Sequence, residues 1–170
     1  APVKVAALVS GMVAGADSID DMALLRHGAG HVDSLVSGLE SWLEERGYTT
    51  RVVDNGEEGL FEAREIDYTL AVVDLGLPGM SGIECIQLLK KQDFSSPIVM
   101  LTVYEDDEQI FNSLTAGAAG YILKKTPPAK LLEAINDVYR GGSPMSSQIA
   151  RRVVDFFNTP ASVQSETQLS

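Results

Sequence analysis

Short apolar runs without polar alternation are the feature that most constrains the fold of this 170-residue chain. A strand covered on one face alternates apolar and polar residues, whereas a strand buried on both faces is apolar throughout. Runs of this kind therefore indicate strands of a parallel sheet that is enclosed between layers of helices. The runs are Val3–Val9, in which Lys4 is the one charged residue, Leu70–Val73, Ile98–Leu101 and Tyr121–Leu123, and a β-branched segment at Thr49–Val53 adds a fifth.

Between these runs, apolar residues recur every three or four positions, which is the period of an amphipathic helix. Leu35, Leu39 and Leu43 begin one such series, and Pro127-Pro128 opens the helix that follows the last run. The strict alternation of strand and helix predicts an α/β fold with a doubly wound, five-stranded parallel sheet.

The domain organisation follows from where these patterns end. We expect one domain over residues 1–142, in which residues 10–31 form an insertion or an irregular segment. Residues 143–158 contain an additional amphipathic helix at Ser146–Asn158, which either packs on its own domain or offers a surface to a partner or a second copy. Residues 159–170 are rich in Ser, Thr and Gln and are expected to form a flexible linker.

Composition narrows the possible functions. The formal net charge of −11 argues against binding of a polyanion by this segment alone, so we expect no direct contact with DNA. No apolar run reaches the roughly 18 to 20 residues of a membrane span, and an N-terminal secretory signal is disfavoured against a buried first strand. The single cysteine, Cys85, excludes an internal disulfide and is expected in the core. We expect a cytoplasmic protein without a membrane contact.

Three different polar residues end or follow three of the apolar runs. Asp74 follows Val73, Thr102 follows Leu101, and Lys124 follows Leu123. In an open α/β sheet, reactive groups collect at the carboxyl ends of the strands, where the loops meet. A single acid in that position is commonly a helix cap, but the three together indicate a site.

These residues carry a family resemblance. Val-Val-Asp-Leu-Gly-Leu-Pro-Gly-Met-Ser-Gly around Asp74, Leu-Thr at Thr102 and Gly-Tyr-Ile-Leu-Lys at Lys124 resemble the signature of two-component response regulator receiver domains. The separations of 28 and 22 positions between these three residues agree with that family. The stretch 116–128, with the later helix, resembles the NarL/LuxR subgroup in particular. The resemblance covers Thr49 to Asn158 and implies the CheY-like, flavodoxin-like fold.

The resemblance implies a role for each residue. Asp74 would be the phosphoacceptor, a carboxylate nucleophile that forms an acyl phosphate. Lys124 would pair with this carboxylate and then with a phosphoryl oxygen, and the Thr102 hydroxyl would bind another oxygen. Tyr121 would rotate inward when Thr102 moves, which changes the surface of the domain.

The resemblance also implies a Mg²⁺ ion, held by Asp74, the backbone carbonyl of Gly76 and acids that follow the first strand. Ser10-Gly11 stands in that place and has no carboxylate. Asp20 and Asp21 resemble the acidic pair but lie farther from Asp74 than the family pattern has. Either an insertion returns them to the site or they are solvated. A zinc site at His27 and His31 is disfavoured because Gly28 and Gly30 disturb a helix there.

The partners implied are a sensor histidine kinase, a second copy in a homodimer, and DNA through a C-terminal domain absent from this chain. The chain would thus be a signalling receiver of a transcriptional regulator rather than an enzyme. A second hypothesis is a degenerate receiver that dimerises or docks a partner without phosphorylation. A flavodoxin-like enzyme or nucleotide binder is disfavoured, because Gly11 and Gly15 do not form a phosphate-binding loop.

Overall fold

The computed structural model describes the backbone of residues 4–8 and, with side chains except that of Pro128, residues 40–77 and 79–160. The five strands of the described residues form one sheet in which every pair is parallel, in the order β2-β1-β3-β4-β5. The strands are β1 (Lys4–Leu8), β2 (Thr49–Val52), β3 (Leu70–Asp74), β4 (Ile98–Thr102) and β5 (Gly120–Leu123).

The predicted α/β class with a parallel sheet is confirmed. Strand boundaries differ from the sequence prediction by about one residue at most ends. In β3 and β4 the difference has a physical cause, because the backbone ladder continues past the apolar run. Asp74 stands opposite Leu101, and Thr102 stands opposite Leu123. Asp74 and Thr102 are therefore the last residues of their strands rather than the first residues of the following loops.

Helices connect the strands, and one more helix follows the last connection. Residues 40–44 are helical and precede β2. The other helices are α1 (Gly56–Glu65), α2 (Gly82–Lys91), α3 (Asp107–Ala116), α4 (Pro128–Tyr139) and α5 (Ser147–Asn158). No helix within the described ranges is both long and apolar enough to cross a membrane.

Local sequence explains where these helices begin. The side chains of Asn55, Ser81, Asp106 and Ser146 each accept a hydrogen bond from a backbone N–H in the first turn of the helix that follows. Such caps replace a bond that the first turn cannot make internally. The helix α4 lacks a side-chain cap and instead begins at Pro128, whose fixed φ suits the first helical position.

Two apolar cores lie on opposite faces of the sheet. The larger core lies under α1, α2, α3 and α5, and the smaller core lies under residues 40–44 and α4. Cys85 is fully buried in the larger core, as predicted. The larger core contains Val53, Leu60, Ala71, Val73, Leu75, Leu77, Cys85, Ile86, Leu89, Ile98, Met100, Ile110, Tyr121, Leu123 and Ile149. The smaller core contains Leu43, Leu70, Val72, Val99, Leu101, Ile122, Ile135 and Val138.

The segment after α4 returns to the free side of β5. The backbone N–H of Tyr121 donates to the carbonyl of Pro144 over 3.0 Å, and Met145 forms an isolated bridge with Tyr121. The helix α5 then packs against α3 and buries Ile149 in the larger core. The helix thus packs on its own domain through Ile149, while Val154 and Phe157 are exposed, and a surface for a partner or a second copy stays a prediction.

Some sequence predictions concern residues that the structure does not describe. The segment Ser10–His31, with Asp20, Asp21, His27 and His31, lies outside the described residues, as do Pro78 and most of the expected linker, residues 161–170.

Candidate functional site

The candidate site lies at the carboxyl edge of the sheet, where β3, β4 and β5 end side by side. Asp74 ends β3, Thr102 ends β4, and Lys124 directly follows β5. The backbone N–H of Lys124 donates to the carbonyl of Thr102 over 2.8 Å, so the ladder between the last two strands extends to Lys124. The three residues identified from sequence are therefore neighbours in space.

The Asp74 carboxylate is the centre of this arrangement. Its Oδ2 atom lies 2.5 Å from Nζ of Lys124, and its Oδ1 atom accepts a hydrogen bond of 3.0 Å from the backbone N–H of Gly76. Only 1% of the Asp74 side chain and 7% of the Lys124 side chain are exposed. An ion pair this enclosed is far less screened than a surface pair, so each charge depends on the other.

The loop after Asp74 fixes the direction of the carboxylate. The backbone N–H of Gly82 donates to the carbonyl of Leu75 over 2.8 Å and so brings the start of α2 against the end of β3. A Cβ atom on Gly82 would lie 2.2 Å from the Asp74 carbonyl oxygen. Gly79, in the same loop, has a φ of +82°, which glycine adopts without strain. Glycine is thus required at position 82 for α2 to approach the acidic residue this closely.

Thr102 and Tyr121 form a second pair next to the ion pair. Both side chains are fully buried. The Thr102 hydroxyl oxygen accepts a hydrogen bond of 3.2 Å from the backbone N–H of Tyr104, and the Tyr121 hydroxyl donates to the Tyr104 carbonyl over 2.7 Å. Both side chains are therefore connected to the backbone of one residue, Tyr104. The structure holds Tyr121 in the inward position.

Burial is also the main influence on the Tyr121 hydroxyl. It raises the pKa of this phenol above its ordinary value, and the nearby Asp106 carboxylate acts in the same direction. The hydroxyl therefore stays protonated and remains a hydrogen-bond donor throughout the neutral range.

Strand alternation places the two pairs on opposite sides of the sheet. In β4 and β5, Met100 and Tyr121 belong to the larger core, whereas Leu101 and Ile122 belong to the smaller core. Successive side chains of a strand point to opposite faces. Thr102 accordingly shares the side of the larger core with Tyr121. By the same alternation, Asp74 and Lys124 share the side of the smaller core.

A cavity of about 240 Å³ adjoins the ion pair. Its walls are formed by Val103, Glu105, Leu123, Lys124 and Lys125. Lys124 links this cavity to the Asp74 carboxylate. On the outer side, the Lys125 ammonium forms an ion pair with the Glu105 carboxylate, and 49% and 34% of these side chains are exposed. Two lysines therefore line the cavity. Lys124 is buried and paired with the buried Asp74, whereas Lys125 is exposed and paired with the partly exposed Glu105.

The structure brings together Asp74, Gly76, Thr102, Lys124 and Tyr121, as the sequence analysis expected. It does not bear on Asp20 and Asp21, which lie outside the described residues.

Sequence reasoning missed three residues of the same region, Tyr104, Glu105 and Lys125. Lys125 adjoins Lys124 in sequence, and Tyr104 and Glu105 follow Thr102 in the same strand-end loop. Their position one to three residues beyond a predicted site residue was the available signal.

The donor atoms at Asp74 fit a Mg²⁺ ion that keeps most of its ligands as water. Mg²⁺ in proteins is commonly bound through one or two carboxylates with several waters retained. Here the Asp74 carboxylate is held at the sheet edge beside Gly76. Within residues 40–77 and 79–160, no three His, Cys, Asp or Glu side chains gather as a metal cluster.

Comparison with known proteins gives a consistent result. A model of the family described as the response regulator receiver domain matches residues 32–136, a region that begins after Asp20 and Asp21 and so lends them no support. The two-component response regulator PhoP of Pseudomonas aeruginosa is 36% identical over 125 residues, which make up 74% of this chain and 51% of that protein.

A second relative is the nitrate/nitrite response regulator protein NarL of Escherichia coli, 31% identical over 131 residues, which make up 77% of this chain and 57% of that protein. The chain thus spans a little over half the length of these curated relatives. Among solved structures, a LuxR-family two-component response regulator from Aurantimonas sp. SI85-9A1 superposes with a TM-score of 0.72 at 23% identity. The superposition covers 94% of this chain and 100% of that one, and at this identity it shows the shared fold.

Proposed function

The chain belongs to the response regulator receiver domain family of signalling domains, and from this premise we propose that it accepts a phosphoryl group on Asp74. The observation that carries the proposal is the enclosed Asp74–Lys124 pair at the carboxyl edge of the sheet. When the Asp74 carboxylate becomes an acyl phosphate, the buried Lys124 ammonium keeps an anionic partner, because it can pair with a phosphoryl oxygen in place of the carboxylate oxygen.

The transfer needs few protein groups. An oxygen of the Asp74 carboxylate forms a bond to phosphorus while the bond between phosphorus and the donor atom breaks, which gives an acyl phosphate. With a histidine kinase as donor, the broken bond is P–N, and the released imidazole of the kinase takes up a proton. The Lys124 ammonium then pairs with a phosphoryl oxygen, and the Thr102 hydroxyl turns from Tyr104 to donate to another.

We propose that a Mg²⁺ ion accompanies the reaction and that Asp74 and the Gly76 carbonyl would hold it. When bound, the ion supplies positive charge that offsets the repulsion between a carboxylate and an incoming phosphoryl group. Asp20 and Asp21 are the proposed additional ligands. Replacing both with Ala should weaken Mg²⁺ binding, measured by calorimetry. Unchanged affinity would remove these two acids from the site.

We propose that the signal leaves the site through Thr102 and Tyr121. Thr102 and Tyr121 are both hydrogen-bonded to the Tyr104 backbone, so a shift of Thr102 toward a phosphoryl group alters the environment of Tyr121. The Tyr121 backbone is in turn bonded to Pro144, at the start of the segment that carries α5. The helix α5 and the surface of α3 are thus the parts positioned to respond.

The wider role is also a proposal. We propose that a sensor histidine kinase is the donor, that the protein acts as a homodimer in the cytoplasm, and that its output is transcriptional. DNA binding would then belong to a C-terminal domain beyond these 170 residues, because a net charge of −11 does not favour contact with a polyanion.

The test is phosphorylation in vitro. The chain is incubated with acetyl phosphate and Mg²⁺, and intact mass spectrometry follows the gain of one phosphoryl group. We expect the gain in the wild type and none in Asp74→Asn, which keeps the size of the side chain but removes its charge. No gain in either protein would refute the phosphoacceptor role and leave a receiver that acts by docking alone. An equal gain in both would place the phosphoryl group elsewhere.

A further inference from the structure

The outer ion pair of the cavity, Lys125 with Glu105, has no role in the transfer chemistry described above. It nevertheless borders the same cavity as Lys124. Val103 and Leu123 contribute the apolar part of its wall. Of the two lysines in the wall, Lys125 is the one that an anion arriving from solvent can contact more readily, because its side chain is far more exposed than that of Lys124.

The two lysines differ in how firmly they are held. Lys124 is 7% exposed and is bound to a fully enclosed carboxylate, whereas Lys125 is 49% exposed and faces a carboxylate in contact with water. Exposed ion pairs are weak, since water and salt screen the attraction and both long side chains lose freedom on pairing. Lys125 can therefore leave Glu105 and bind another anion at small cost.

The charges around the site make such a cation useful. A phosphoryl donor is anionic, and the chain it approaches carries a formal charge of −11. The Glu105 carboxylate adds local negative charge at the cavity. A mobile cation in that position raises the local concentration of the donor and accelerates its arrival.

We propose that Lys125 is a positioning residue that captures the phosphoryl oxygens of an incoming anionic donor, and that Glu105 competes with the donor for Lys125. This inference rests on the proposed phosphorylation of Asp74. Lys125 forms no covalent bond. With acetyl phosphate, the bond between an Asp74 oxygen and phosphorus forms, the bond between phosphorus and the acetyl oxygen breaks, and acetate leaves with the electron pair.

The experiment compares phosphorylation rates at low acetyl phosphate concentration in the presence of Mg²⁺. We expect Lys125→Met to lower the second-order rate constant about threefold to tenfold, because one steering charge is lost. Glu105→Gln should raise it about twofold to fivefold, because Lys125 is then free to bind the donor. Lys125→Arg should keep the rate close to that of the wild type.

Lys91→Met is the matched control. Lys91 is also exposed but ends α2, at the opposite end of that helix from Gly82 and the Asp74 loop. This variant removes the same charge from the chain as Lys125→Met does, so it measures the effect of net charge alone. The differences among the Lys125 and Glu105 variants should shrink in high salt, because screening weakens steering, and a merely structural role would not show this dependence.

The outcomes separate the two proposals. If the wild type is phosphorylated on Asp74 but Lys125→Met behaves like Lys91→Met, the role of Lys125 is refuted and the phosphoacceptor role stands. A slower rate in Glu105→Gln would refute the proposal that Glu105 competes with the donor for Lys125. If the wild type gains no phosphoryl group, both proposals fall together.

Discussion

The two faces of the sheet differ in what they hold at the candidate site. On the side of the smaller core lie Asp74 and Lys124, the charged pair proposed for the chemistry. On the side of the larger core lie Thr102 and Tyr121, the pair proposed for the readout. Asp74 and Thr102 end neighbouring strands, and Lys124 follows Tyr121 by three positions, so the two pairs lie close together although they belong to opposite faces.

The helices follow the same division. The smaller core is closed by residues 40–44 and α4, whereas the larger core takes in Ile149 of α5 and so includes the segment after the last connection. The smaller core thus anchors the proposed chemistry, while the larger core links the site to the last helix, α5. Substitutions on the side of the smaller core should therefore affect the charged pair and its support, whereas substitutions on the side of the larger core should affect the connection to α5.

The largest effect is expected at the charged pair. Replacing Lys124 with Met leaves the Asp74 carboxylate enclosed without its cation, which should lower the free energy of unfolding by about 3–5 kcal/mol. Replacing Lys125 with Met removes an exposed pair and should change it by no more than about 1 kcal/mol. Urea titrations of both variants measure the difference. Equal losses would mean that burial does not distinguish these neighbouring lysines.

A matched pair of isoleucines tests whether the faces are separable. Ile135 of α4 and Ile149 of α5 are both fully buried, one in each core. Ile135→Ala should cost about 2–5 kcal/mol of unfolding free energy across the whole domain, because it leaves a cavity in the smaller core. Ile149→Ala should release mainly residues 144–158.

Hydrogen exchange of the backbone amides distinguishes these two results. Loss of protection confined to residues 144–158 in Ile149→Ala would support a C-terminal segment that docks as a unit. Global loss of protection in both variants would show that the two cores unfold as one cooperative unit.

An alkaline titration probes the larger core through Cys85. Burial, together with the Glu57 and Glu84 carboxylates, raises the pKa of this thiol from 9.0 to about 11. A raised pKa means that the folded state favours the neutral thiol. The resulting stability is complete below pH 9 and is lost as the pH rises through about 11, up to roughly 2.7 kcal/mol for two pH units.

The measurement is the free energy of unfolding between pH 8 and pH 11 in the wild type and in Cys85→Ala. The variant should lose less stability over this range, although it starts lower because of the cavity. Tyr68, whose pKa is raised to about 12 mainly by burial, contributes to both proteins at the alkaline end and cancels in the comparison. If the free energy of unfolding falls equally with pH in both proteins, the Cys85 thiol is not the source of the alkaline loss of stability.

The smallest effect is expected for Tyr121→Phe. The substitution keeps the ring in the larger core and removes the hydroxyl with its hydrogen bond to the Tyr104 carbonyl, which is worth about 1 kcal/mol. Phosphorylation of Asp74 should continue at a similar rate, because the hydroxyl lies on the readout side. The predicted loss is in coupling, seen as a smaller change in amide exchange of residues 144–158 on adding a beryllofluoride phosphoryl mimic. A full response in this variant would remove the hydroxyl from the pathway.

Much of this arrangement could be predicted from the sequence because it depends on local pattern. Continuous apolar runs marked the strands, and the polar residues that end them marked Asp74, Thr102 and Lys124. The strand ends could not be predicted from these runs, because the ladder that extends β3 through Asp74 depends on pairing with Leu101 of the neighbouring strand.

The rest depended on contacts between residues distant in sequence. No local pattern shows that Lys125 pairs with Glu105, or that the backbone of Tyr121 meets Pro144. Likewise, the division of Asp74 and Thr102 between two faces depends on the exact register at the strand ends. A slip of one residue would have reversed it.

The contact between Pro144 and Tyr121 has a further consequence for how the molecule meets its own copies. β5 is the last strand of the sheet, and an open strand edge offers unpaired backbone groups on which another chain can add a strand. The Pro144 carbonyl accepts the Tyr121 N–H, and a proline has no N–H of its own with which to continue the ladder. The returning segment thus closes this edge and protects the sheet against strand-by-strand aggregation.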